Sequence, residues 1–133
     1  MTRSAPPGAM RPHGAITTVE GVVVEGLRLG RQLGFPTANV RLAEDGPAHG
    51  VYAGCVLDHA AAINIGVRPT IGDRLEPLAE AYLLDFEGDL YGRRIVIELI
   101  QLLRPEQRFD SVEQLTAQIA RDVAAVRALC ARR

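Results

Sequence analysis

Only one stretch of this chain repeats its apolar residues with helical spacing. Val112, Leu115, Ile119, Val123, Val126 and Cys130 recur at intervals of three and four, which lays an apolar stripe along one side of a helix. Every apolar run before it is short, rich in β-branched residues and closed by Gly or Pro, as strands and turns are. Strands do not alternate with helices, so a doubly wound dinucleotide-binding fold is excluded. At 133 residues there is room for one compact domain. The chain reads as mainly β: five or six short strands in an antiparallel barrel or sandwich, with a C-terminal helix packed on it.

The expected strands follow from the pattern. The first runs from Thr17 through Val22, Val23 and Val24, and a short one lies around Ala38 to Arg41. Val51 to Leu57 and Ala61 to Gly66 come next, joined by a turn at Asp58-His59-Ala60. From Ala79 to Phe86, Glu80, Tyr82, Leu84 and Phe86 alternate with Ala81, Leu83 and Asp85, which gives a two-faced strand. Arg94 to Leu103 is the last strand. Asp110 stands three residues before Glu113, the spacing of a capping box, and starts the helix. Residues 1–16 carry three prolines and lack the apolar centre of a signal peptide, so they read as a disordered leader to a domain over 17–133. No apolar run approaches the ~20 residues of a membrane-spanning helix. The expectation is a cytoplasmic protein, without membrane or nucleic-acid partners, and a monomer.

Missing residues narrow the chemistry. All fifteen basic side chains are Arg, against sixteen acidic ones, for a net charge of −1. That balance argues against a general electrostatic grip on nucleic acid or anionic lipid. With no Lys, a G-x-x-x-x-G-K-[ST] phosphate loop and lysine Schiff-base chemistry are both impossible. Ser4 and Ser111 are the only serines, neither in a G-x-S-x-G setting. Scattered His13, His49 and His59, with Cys55 and Cys130 far apart, do not make a zinc site, and the cysteines read as reduced thiols.

Three clusters remain. Gly26, Gly30 and Gly34, spaced by four and closed by Pro36, form a bend whose backbone N–H groups suit a polyphosphate, with Arg28 and Arg31 to offset its charge. Thr37 and Asn39 follow on one face of an extended segment and offer neutral oxygens of the kind Mg²⁺ accepts. The bland alternative is a surface turn stiffened by Gly and Pro. Glu80 shares its face with Tyr82, Leu84 and Phe86. A carboxylate there can act as a general base toward a hydroxyl, or simply mark the solvent edge of a strand. The run Arg104 to Ser111 contains Arg104, Glu106, Arg108 and Asp110, which can pair locally, and Phe109, which can staple the helix start.

The segments GVVVEGLRLGRQLGFPTANV, GVYAG, AAINIGVRPTIG, EAYLLDFEGDLYG and LRPEQRFDSVEQLTAQIARDV, in that order, resemble the riboflavin kinase family over residues 20 to about 127. In bacteria that module usually forms the C-terminal half of a bifunctional riboflavin kinase and FAD synthetase. The resemblance implies a six-stranded Greek-key barrel with a C-terminal helix, and transfer of the ATP γ-phosphate to the 5′-hydroxyl of riboflavin, giving FMN and ADP. It makes Thr37 and Asn39 the holders of Mg²⁺ and phosphates, and sets Gly26, Gly30, Arg31, Pro36 and Tyr91 against the nucleotide. Glu80 matches the carboxylate base. Arg104, Arg108 and Phe109 fall in the part that closes over the flavin.

Departures from the family pattern carry their own expectations. The 19 residues ahead of the match cannot hold the adenylyltransferase half, so the expected end product is FMN, without FAD. The hairpin GVYAGCVLDHAAAINIG is shorter than usual, with Cys55 where an aromatic is common, and Tyr82 stands where many members have His. Two rival readings keep the barrel but change the activity: a catalytically silent flavin-binding module, and a kinase acting on a modified flavin.

Overall fold

The structure, a computed structural model, describes residues 17–25, 37–43, 45–69 and 75–130. Six strands are followed by one helix: β1 (Thr17–Val24), β2 (Thr37–Arg41), β3 (Gly50–Val56), β4 (His59–Pro69), β5 (Leu75–Leu83), β6 (Arg94–Arg104) and α1 (Val112–Cys130). The strands close into a barrel in the order β1-β2-β5-β4-β3-β6, and every neighbouring pair is antiparallel. β3, β4 and β5 form a meander. β2 returns beside β5 and β6 beside β3, so two Greek keys share the meander. The expected barrel with its C-terminal helix is the observed architecture.

Period-two alternation divides each strand between barrel interior and outer wall. The interior is filled by Val23, Ala38, Val40, Val56, Ala61, Ile63, Ile65, Ala79, Ala81, Leu83, Ile95, Ile97 and Leu99, with Leu90 at one end. Alanines on β2, β4 and β5 face larger aliphatics on β4 and β6, which lets a narrow barrel close, and the partly buried Val19, Leu42, Tyr52 and Phe86 pack against this cluster. A second apolar layer lies outside, where Val126 of α1 packs with Ala53, Ala62 and Leu84, flanked by Tyr82, Leu103, Val123, Leu129 and Cys130. The helix thus lies on β3 and β4.

Several boundaries differ from the sequence reading. The β3–β4 turn is Leu57-Asp58, not Asp58-His59-Ala60: both residues have positive φ (51° and 67°), and His59 already pairs with Val56. This two-residue turn has the left-handed geometry that matches strand twist, and it accounts for the short hairpin. β4 accordingly runs from His59 to Pro69 rather than Ala61 to Gly66. β5 begins at Leu75 and ends at Leu83, not Phe86, because Asp85 takes φ 59° and turns the chain. Pro77 is tolerated inside β5 because β2 pairing stops at Leu78, while the Pro77 carbonyl still accepts the Leu42 N–H at 3.1 Å. The helix cap is Ser111, not Asp110: its hydroxyl accepts the Gln114 N–H (3.1 Å), and the Gln114 side chain accepts the Asp110 N–H (3.1 Å). Val112, the first member of the apolar stripe, is exposed. Both cysteines are free thiols. Among the described residues no helix is long and apolar enough to cross a membrane.

Gly54 sets how closely β3 approaches β6. The register shifts between Ala53 and Gly54, and a Cβ at Gly54 would run into the Glu98 carbonyl oxygen and the Ile63 methyl. Gly54→Val is therefore expected to destabilise the barrel by about 1–3 kcal/mol, the usual cost of overpacking. A thermal melt of the variant that matches wild type would show that the β3–β6 approach is looser than this.

Candidate active site on the outer barrel wall

Strand register assembles the site. On β5, Glu80 lies between Asn39 of β2 and Asn64 of β4, and one row along Tyr82 lies between Thr37 and Ala62. Ala38, Val40, Ala79, Ala81, Ile63 and Ile65 fill the interior, so their strand neighbours Thr37, Asn39, Glu80, Tyr82, Ala62 and Asn64 point outward. Thr37, Asn39, Glu80, Tyr82 and Asn64 thus form one polar field across three strands. Asn39 is buried, and its Oδ1 accepts no hydrogen bond among the described residues. A buried acceptor without a donor is costly, about 1–3 kcal/mol, and marks a place for a donor or a cation. The Tyr82 phenol lies two residues along the same outward face from the Glu80 carboxylate. Burial pushes the phenol well above its ordinary value near 10, and the charges of Glu80 and Asp122 push it further the same way.

Beside this field lies a pocket of about 280 Å³ between the outer wall and the helix. Asn64, Ala62 and Tyr82 form its floor, Arg104, Glu106, Gln107 and Phe109 one side, and Leu115, Ile119 and Asp122 of α1 the other. The segment between β6 and α1 is fastened over it. Arg104 donates to both carboxylate oxygens of Asp122, Nε to Oδ1 at 3.0 Å and an NH2 nitrogen to Oδ2 at 2.8 Å. Gln118 Nε2 adds a third donor at 3.1 Å. The guanidinium carbon lies 5.9 Å from the Phe109 ring centroid, within cation–π range. Glu106 reaches toward His49 at 3.6 Å, and its carboxylate fills the space that a Cβ at Gly66 would need.

A family model for riboflavin kinase, the flavokinases, matches residues 13–130. The chain belongs to the riboflavin kinase family. It is 44% identical over 115 residues to the RNA-binding riboflavin kinase RibR of Bacillus subtilis, covering 84% of this chain and 50% of that protein. Against the bifunctional riboflavin kinase/FMN adenylyltransferase of Pseudomonas fluorescens it is 48% identical over 118 residues, covering 85% of this chain and 38% of that one. The crystal structure of riboflavin kinase from Trypanosoma brucei superposes with a TM-score of 0.62 at 28% identity, over 86% of this chain and 79% of that chain. The chain spans half or less of the length of these two curated relatives.

Within this flavokinase barrel the residues expected to act separate into groups. Thr37, Asn39 and Glu80 stand together on the β2–β5 wall. Arg104 and Phe109 line the pocket, whereas Arg108 is exposed and does not. Tyr91 is exposed, with its N–H on Asp89 Oδ1 (2.9 Å), in the turn next to the end of β1, where the Gly92 N–H meets the Val23 carbonyl. Gly26, Gly30, Arg31 and Pro36 lie outside the described residues, as does the leader. The local pairing among Arg104, Glu106, Arg108 and Asp110 is not what forms: Arg104 reaches across to α1 instead, because Asp122 is buried and needs a partner. Cys55 and the Leu57-Asp58 tip of the shortened hairpin lie away from the pocket, whereas Val51, Ala62 and Asn64 of the same hairpin line it.

Asn64 and Asp122 were not singled out from the sequence. Asp122 left a signal there: it falls three residues after Ile119 and four before Val126, a charged residue on the buried side of the helix. Breaking its pair should be costly. Asp122→Ala is expected to destabilise the protein by about 3 kcal/mol, and Arg104→Met added to it should recover most of that. Chemical denaturation checks both, and an unchanged midpoint in the single variant would contradict the fastening role.

Proposed function

We propose that this chain is an ATP- and Mg²⁺-dependent riboflavin kinase that transfers the γ-phosphate to the riboflavin 5′-hydroxyl and stops at FMN. The observation that carries the reading is the single outward row of Asn39, Glu80 and Asn64 beside the pocket under α1. The pocket has the apolar walls and few polar groups of a small-molecule site, and it takes the flavin ring, with Phe109, Arg104 and Ile119 against it. The ribityl chain then runs outward along β4 and β5 toward Glu80. The nucleotide occupies the β2 side, where Thr37 and Asn39 face it.

Among the described residues no group of three His, Cys, Asp or Glu could hold a metal ion by itself. A divalent ion would instead be held by Asn39 Oδ1, which has no partner among the described residues, by the Thr37 hydroxyl and by the phosphates of the nucleotide itself. Such an ion supplies charge neutralisation to the transferring phosphoryl group. The protein's own part is positioning. Glu80 accepts the proton of the 5′-hydroxyl as that oxygen bonds to the γ-phosphorus and the bond to the ADP oxygen breaks. Asn64, on the pocket side of Glu80, orients the polyol. Thr37 and Asn39 hold the phosphates at the other end of the row.

Glu80→Gln is expected to lower kcat by about 10²-fold while riboflavin still binds. Wild-type turnover in that variant would remove the carboxylate from the reaction. Asn39→Ala should raise the Mg-ATP KM by roughly tenfold and leave the riboflavin KM near wild type, and unchanged nucleotide affinity would refute the placement of the phosphates on β2.

A further inference from the structure

We infer that Gly66 and Glu106 form a positioning seat for the flavin pocket: the glycine leaves a notch on β4, and the Glu106 carboxylate sits in it and holds the segment between β6 and α1 against the barrel. The inference rests on the reading of this pocket as the flavin site, and it adds two residues that shape it. Ile65 fills the interior, so Gly66 lies on the outer wall, two residues along the same face from Asn64, which lines the pocket. A glycine inside a strand weakens it and calls for a reason. Gly66 pairs with Leu78 in unbroken register, and it is not among the glycines with positive φ, which are Gly50, Gly88 and Gly92. What it provides is close approach. The three nearest atoms that a Cβ there would meet are the carboxyl carbon and both oxygens of Glu106.

Residues 105–109 belong to no helix or strand, so side chains set where they lie. Arg104 fixes the start of the segment to α1 through Asp122, and Glu106 fixes its middle to β4. Phe109, three residues on, is thereby held at the pocket wall opposite the helix. The other contact of Glu106, Oε1 to His49 Nδ1 at 3.6 Å, joins side chains that are 42% and 51% exposed. A pair so long and so open to solvent contributes little. The fit of the carboxylate into the notch, more than its charge, carries the position.

A double-mutant cycle on the full chain tests this, with riboflavin affinity read from quenching of flavin fluorescence. Gly66→Ala adds one methyl group at a position whose backbone accepts it, and what it displaces is the end of a flexible side chain. Riboflavin affinity is expected to fall about tenfold, while kcat at saturating riboflavin and the KM for Mg-ATP stay within about twofold of wild type. In a Glu106→Ala background the same substitution should change riboflavin affinity by less than about twofold, because the notch then holds nothing. An equal fall in both backgrounds would show that the methyl group acts through the strand itself and would overturn the inference. So would wild-type riboflavin affinity in the Gly66→Ala single variant. Failure of the underlying reading is visible separately, in Phe109→Ala: wild-type riboflavin affinity there would put the flavin outside this pocket, whatever the seat does.

Discussion

Backbone hydrogen bonding of β5 to β2 on one edge and β4 on the other sets everything else in this molecule. It places Glu80 level with Asn39 and Asn64, and Tyr82 level with Thr37 and Ala62. A slip of one residue would turn Glu80 and Tyr82 into the barrel and expose Ala79 and Ala81, emptying the site and unpacking the core together. Burying an unpaired carboxylate among Ile63, Ile65 and Leu83 is prohibitive, so register and function are protected by the same alternation. The barrel's interior serves stability, and its outer wall carries the proposed site.

The helix completes that wall. Its apolar side covers β3 and β4, and Asp122, seated within that side, draws Arg104 across from the end of β6. The pair is nearly buried, with side-chain exposures of 18% and 8%. Replacing both by apolar groups would cost the fold little, while removing one would cost much. What the pair achieves is position: Arg104, Phe109 and Glu106 are held at the rim of a pocket that otherwise would be an open strip of β-sheet. At the other end of α1, Arg127 donates twice to Asp85 (2.9 and 3.1 Å) and holds that carboxyl below its usual range. The helix is thereby tied to the barrel at two points, through Asp122 in the pocket wall and through Arg127 near its C-terminus.

The barrel was legible in the sequence because its period-two runs, from Ala79 to Leu83 above all, belong to a sheet with one buried face. Turn positions were less so. Leu57 and Asp58 adopt left-handed geometry because the hairpin demands it, and neither residue type announces that. Pro77 concealed the first turn of β5, since a proline argues against a strand unless its missing N–H falls where a neighbour ends. Thr37, Asn39 and Glu80 were visible as residue types. Their convergence, and the parts of Asn64 and Asp122, depend on pairing across 16 to 41 positions of chain, which no local pattern encodes. Arg104 was read from the residues as a member of a local charge cluster and by resemblance as part of the flavin closure, while its pairing with a buried aspartate on the helix had no local sign.

The central claim is that this outer wall phosphorylates riboflavin. Its most direct test is to incubate the purified protein with riboflavin and Mg-ATP and separate riboflavin, FMN and FAD chromatographically. The account predicts FMN with one ADP formed for each, and no FAD. Riboflavin bound tightly and recovered unchanged, with ATP intact, would contradict it and leave a flavin-binding module on the same barrel.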